Sequence, residues 1–138
     1  MSVVVEDVSH AIDFFTALGM TLEDRAPVER PVMDHLCGLG RIKADIAMML
    51  TPDGHGRVEL TNYHSPPLVA VEPAVAPPNT LGLRQVMFAV DDVDATVERV
   101  RPLGAALVGE VVQYGDQYRL AYLRGPAGII VALAEELG

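Results

Sequence analysis

Glu59, Asp45, Tyr63 and Gln85 are the side chains whose types and spacing suit chemistry, because each lies in an alternating run that turns it away from an apolar face. In Arg57 to Tyr63, Val58 and Leu60 point inward, so Arg57, Glu59, Thr61 and Tyr63 share the other side. A carboxylate so placed can ligate a cation, accept a hydrogen bond or take up a proton. In the run from Gln85, Val86, Phe88 and Val90 point inward and Gln85, Met87 and Ala89 outward. In Arg41 to Leu50 the alternation puts Ile42, Ala44, Ile46 and Met48 on one face, which suits the helices. Assigning that face to the core puts Lys43, Asp45, Ala47 and Met49 beside Glu59, with Met49 and Met87 as pocket wall.

The four histidines form no ligand cluster. His55 and His64 flank one run, about 30 Å apart at about 3.3 Å per residue, and cannot share an ion within a chain. His10, on a helix beside an acidic pair, reads as a solvated residue. Asp34, His35 and Cys37 are the one compact reactive-looking group, but a reactive thiolate needs a depressed pKa and acidic neighbours oppose it. Cys37 therefore reads as an inert thiol. The absence of a Gly-x-Ser-x-Gly elbow, a phosphate-binding glycine loop and a Cys-x-x-Cys pair removes serine hydrolases, nucleotide enzymes and zinc ribbons.

The elements that position these residues come from an internal repeat. Shifted by 85 positions, residues 3–22 fall on residues 88–107: Glu6-Asp7 on Asp91-Asp92, Val8 on Val93, Ile12 on Val97, Phe15 on Val100 and Gly19 on Gly104. Each copy reads as strand, capped helix, glycine stop and three further strands. Asp7 and Asp92 suit the free N–H groups of a first helical turn. Gly19 and Gly104 suit a left-handed stop, and Pro102 predicts that the second helix frays early. The later runs are Met20–Asp24, Arg41–Leu50 and Arg57–Tyr63, then Ala106–Gln113, Tyr118–Arg124 and Ile129–Ala134. Thr51-Pro52-Asp53-Gly54 and Gly125-Pro126-Ala127-Gly128 make matching turns before each last strand. The expected organisation is a first module over 1–63, a linker over 64–80 with five prolines in an extended form, and a second module over 81–138. A short helix is expected from Pro31 to Cys37 within the irregular stretch Ala26–Gly40.

At 138 residues, half of them hydrophobic, the chain can bury a core without disulfides, and its single cysteine makes none within the chain. The net charge of −9 excludes nucleic acid as a partner and favours a neutral, cationic or apolar ligand. No run approaches the length of a membrane span and the N-terminus has no basic region, so a cytoplasmic location is expected.

Paired βαβββ modules with an acidic pair opening each helix, a glycine stop and a Pro-x-Gly turn resemble the vicinal oxygen chelate superfamily of glyoxalases, bleomycin resistance proteins and extradiol dioxygenases. The resemblance covers nearly the whole chain. It implies an α+β fold, a curled eight-stranded mixed sheet forming an incomplete barrel with helices outside, and a homodimer. It also implies up to four metal ligands on the concave face. Carried over, the last-strand ligand of module one is Glu59, as ligand or catalytic base, and the first-strand ligand of module two is Gln85. The last-strand position of module two is Ala132, which can only line a pocket, and the first-strand position of module one would precede Met1, so that an upstream start would reopen it. Asp45 and Tyr63 are candidates to complete the set.

Two functions follow from this resemblance. One is a protein that binds a small organic molecule in the cavity with a degenerate metal site. The other is a glyoxalase-type lyase or isomerase, or a dioxygenase, with Zn, Ni, Co, Mn or Fe as its divalent metal. A third reading, tandem ferredoxin-like interaction modules, is disfavoured by three strands following each helix.

Overall fold

The computed structural model describes residues 1–138, which divide into two compact units, Met1–Val71 and Glu72–Gly138. The first unit contains strand β1 (Ser2–Val4), helix α1 (Val8–Ala17), β2 (Thr21–Val28), α2 (Pro31–Cys37), β3 (Lys43–Leu50) and β4 (Arg57–Ser65). The strand order is β1-β4-β3-β2; β1 runs parallel to β4 and the other pairs are antiparallel. Helix α1 begins where the Asp7 carboxylate accepts the His10 N–H at 3.0 Å. It ends at Leu18, followed by Gly19 at φ 103°, a conformation that only glycine adopts without strain. Val8, Ala11, Phe14 and Phe15 are its buried stripe, packed on β3 and β4. Phe14, Phe15, Leu60 and Met49 are 0–1% exposed, and burying each such side chain contributes about 1.5–3 kcal/mol.

Strand β3 corrects the expected choice of faces. Ala47 pairs with Leu60 and Met49 with Val58, so Ala47 and Met49 lie in the core under α1, both fully buried. Ile46 and Met48, opposite Thr61 and Glu59, take the outward side. Both sets are apolar, so alternation allows two phases, and the register with β4 selects one. Asp45, opposite Asn62, also falls on the α1 side. There it ion-pairs with Arg25 at 2.8 Å, and Arg25 Nη1 reaches Ser9 Oγ on α1 at 3.2 Å.

The second unit repeats the plan with β5 (Gln85–Ala89), α3 (Val93–Val100), a 3-10 turn (Arg101–Leu103), β6 (Val112–Tyr114), β7 (Tyr118–Arg124) and β8 (Ile130–Glu136), in the order β5-β8-β7-β6. The Asp92 carboxylate caps α3 by accepting the Ala95 N–H at 3.0 Å, and Glu135 Oε1 adds a bond from the Val93 N–H at 2.8 Å. The helix stops at Val100, and the chain tightens through Pro102 into Gly104 at φ 87°, as the proline implied. β6 is shorter than the expected run. Leu107 bridges Leu123 alone, a bend at Val108 and Gly109 interrupts pairing, and the strand proper starts at Val112.

The class is α+β, and the eight strands form two four-stranded mixed sheets. β4 extends through His64 and Ser65, so the stretch without helix or strand begins at Pro66 and runs to Arg84. It is not fully extended: the Thr80 N–H and hydroxyl both donate to the Pro77 carbonyl, and Ala76 is buried. No helix is long and apolar enough to cross a membrane.

Candidate functional site

In the first unit, the sheet face opposite α1 gathers side chains from three strands by register. Ser2 pairs with Glu59 and Val4 with Thr61 across β1 and β4, while Met48 and Ile46 lie opposite the same two residues on β3. Glu59 sits at the centre of this row and is half-buried. Its Oε1 accepts the Thr61 hydroxyl at 2.9 Å and the Ser2 hydroxyl at 3.3 Å. Its Oε2 takes no hydrogen bond, and no Lys, Arg or His pairs with the carboxylate. One oxygen is therefore committed to holding the group in place, and the other can accept a proton or hydrogen bond from outside the chain.

Tyr63 stands on the same face, two strand positions beyond Thr61, and is half-buried. Burial pushes its phenol above the ordinary tyrosine range, and the nearby Cys37 at the end of α2 and the Glu59 charge add to that rise. Asp45 and Met49, expected beside Glu59, are on the other side of the sheet: Asp45 is engaged by Arg25 and Met49 lies in the core. The sequence placed Thr61 on this face without assigning it a bond to Glu59, and it gave no sign of Ser2. Thr61 follows Glu59 at the same-face spacing of two, a usable signal; Ser2 arrives by a parallel pairing across 57 residues, for which there is none.

In the second unit, Gln85, Met87 and Ala132 share the face opposite α3, with Met87 and Tyr122 both opposite Ala132. Met87 is 53% exposed and Ala132 fully buried. No carboxylate or imidazole occupies the row of Ala132.

A catalytic transition-metal site draws on about three protein ligands plus an open position. The donors around Glu59 are one carboxylate and two hydroxyls, Asp45 is turned away and held by Arg25, and nowhere do three His, Cys, Asp or Glu side chains lie together as a metal-holding group. The side chains on this face of the first unit do not by themselves make such a site.

Two βαβββ units, each with its helix on one sheet face and the other face left to side chains from three strands, define the vicinal-oxygen-chelate type of fold. The family model described as Glyoxalase/Bleomycin resistance protein/Dioxygenase superfamily matches residues 1–133, and the chain belongs to that superfamily. A crystal structure of a glyoxalase family protein from Bacillus cereus is similar over 100% of this chain and 92% of that one, at 51% identity and TM-score 0.95. A glyoxalase I mutant from Zea mays is similar in fold at 22% identity and TM-score 0.68, over 98% of this chain and 44% of that one. Glyoxalase I of Leishmania major shares the fold at 18% identity and TM-score 0.65, over 98% of this chain and 83% of that one. No curated protein matches the sequence.

Proposed function

We propose that this protein binds a small organic molecule on the Glu59 face of its first sheet, with Glu59 as the polar anchor and without a catalytic metal. The observation that carries this reading is the carboxylate itself, pinned through Oε1 by Thr61 and Ser2 with Oε2 unengaged. An anchored carboxylate among Val4, Ile46 and Met48 suits a ligand that presents a hydroxyl, amide or ammonium proton from an apolar body. The net charge of −9 favours neutral or cationic molecules at this face. Tyr63 is a second polar contact on the same face, while Gln85, Met87 and Ala132 belong to the corresponding face of the second unit. A cytoplasmic homodimer is part of the same reading, carried by the family, and sedimentation equilibrium tests the dimer.

A second reading is a metal-dependent lyase, isomerase or dioxygenase of the superfamily. It is favoured by Glu59 alone, which stands where the family carries a ligand on the last strand of the first unit.

One experiment separates the two. A panel of neutral and cationic aromatic and aliphatic amines and alcohols is screened by thermal shift, with hits followed by calorimetry on wild type and Glu59→Gln. In parallel, bound Zn, Ni, Co, Mn and Fe are measured by elemental mass spectrometry. Loss of a charge-assisted bond of about 1.5–3 kcal/mol weakens a true Glu59 ligand by roughly tenfold or more. Hits that bind Glu59→Gln as tightly as wild type overturn the first reading. Stoichiometric metal that disappears in Glu59→Ala installs the second.

A further inference from the structure

The connection between β2 and β3 forms an open pocket of about 380 Å³ lined by Glu29, Arg30, Pro31, Asp34, Arg41, Ile42 and Lys43. None of these residues belongs to the Glu59 row. The cavity gathers three of the ten Lys and Arg side chains of a chain whose net charge is −9. Lys43 is lightly engaged by Glu29 at 3.7 Å, both exposed. The guanidinium groups of Arg30 and Arg41 form no hydrogen bond or ion pair within the chain, whereas Arg25, Arg57, Arg101 and Arg119 are all ion-paired.

Neither acidic residue of the cavity forms an ion pair with those arginines. Glu29 is turned to Lys43, and Asp34 is used by the backbone: its Oδ1 accepts the Ile42 N–H at 2.9 Å and its Oδ2 the Arg41 N–H at 3.2 Å. That clamp holds Arg41 at φ 56°, in the left-handed region that a non-glycine residue seldom occupies. Such a conformation persists only where its surroundings over-determine it, as at ligand clamps. Backbone strain, two uncommitted guanidinium groups and a cavity within the range of small-ligand pockets coincide in one segment of 15 residues.

We infer that this cavity is a second ligand site, one that takes the oxyanionic end of a small molecule, a carboxylate or a phosphate, between Arg30 and Arg41. Guanidinium groups match both oxyanions by paired N–H donors, and Lys43 adds a point charge. The site stands apart from the role given to Glu59.

The test titrates the full chain with inorganic phosphate and separately with benzoate, at constant ionic strength, following backbone amides by two-dimensional NMR. Saturable shifts centred on Arg41, Ile42 and Lys43 are expected, with a dissociation constant of about 1 mM or tighter for at least one anion. The double substitution Arg30→Gln with Arg41→Gln weakens that binding at least tenfold, while Glu59→Gln leaves it unchanged, so failure of the Glu59 reading does not touch this one. The spectrum of the double variant outside residues 29–43 reports whether it is folded, and Lys43→Gln, which weakens binding by a few fold, is the milder companion. The tighter of the two anions names the oxyanion. Linear shifts without saturation for both anions, saturation centred elsewhere, or equal affinity in a folded double variant overturns the inference.

Discussion

Asn62 ties the strand that delivers Ser2 to the strand that carries Glu59, and its removal has a cost that follows from its contacts. It is 9% exposed on β4, and its Nδ2 donates to the Val5 carbonyl at 2.8 Å and the Glu6 carbonyl at 3.0 Å, just beyond β1. Asn62→Ala removes both bonds, each with a net contribution of about 1 kcal/mol. Glu6 is an exposed residue, but Val5 is 3% exposed, and stranding its carbonyl adds about 1–2 kcal/mol. The expected destabilisation is about 3–4 kcal/mol, or roughly 9–16 °C in Tm for a chain of this size. Urea unfolding followed by circular dichroism measures it as a fall in midpoint at constant slope.

The companion Asn62→Asp sharpens the test. At neutral pH the new carboxylate has no proton to donate and faces two carbonyl oxygens, so it destabilises more than alanine. Only the protonated acid is a donor there, so its folded pKa lies above the unfolded value. The stability it restores is full below that unfolded value, about 3.9, and is lost as pH rises through the folded pKa. The gap between the aspartate and alanine variants therefore closes toward pH 4. A loss below about 0.5 kcal/mol for Asn62→Ala, the level of a surface substitution, refutes the assignment of those bonds.

Two further outcomes follow from local geometry. Gly128 has φ 74°, and a Cβ there would stand 2.6 Å from the Ala74 carbonyl oxygen, whereas Gly104 has φ 87° and open space around it. Gly104→Ala therefore costs about 1–2 kcal/mol for the left-handed backbone alone, and Gly128→Ala measurably more in the same urea assay; equal losses would show that the backbone at Ala74 yields freely. The Asp53 carboxyl is held below the ordinary aspartate range, first by the Thr51 hydroxyl at 2.6 Å and then by the His55 N–H at 3.0 Å. A depressed folded pKa gives stability that is present above the unfolded value and lost as pH falls through the folded one. Thr51→Ala should raise the Asp53 midpoint in a carboxyl NMR titration, and an unmoved midpoint would remove the hydroxyl as its cause.

What was legible in the sequence is what a few adjacent residues decide. The Asp7 and Asp92 caps, the Gly19 and Gly104 stops, the tight turn at Pro102 and the helix from Pro31 to Cys37 each depend on one turn of chain, and each stands where its residue types put it. The faces of β4 and β5 were legible because only one phase of each strand is consistently apolar. β3 was not, since Ile46 and Met48 are as apolar as Ala47 and Met49. Pairing Met49 with Val58 and Ala47 with Leu60 would have resolved it, because β4 has a single inward phase. Asp45 illustrates the same limit: its type suited a ligand, but its partner, Arg25, is 20 residues away on β2.

The repeat also bears on where chemistry resides in this chain. The two units share strand order, caps and final turns, yet the position of Glu59 on β4 corresponds to Ala132 on β8. Glu59 is half-buried with two hydroxyls beside it, so the fold meets a charge there with hydrogen bonds and access to water. Ala132 is fully buried between Met87 and Tyr122, in a row with no hydroxyl, cation or acid-base partner for a carboxylate except the Tyr122 phenol. A glutamate introduced there would lose hydration without a set of donors to replace it. The second unit has committed that position to packing, whereas in the first Ser2 and Thr61 hold one oxygen of Glu59 and leave the other open.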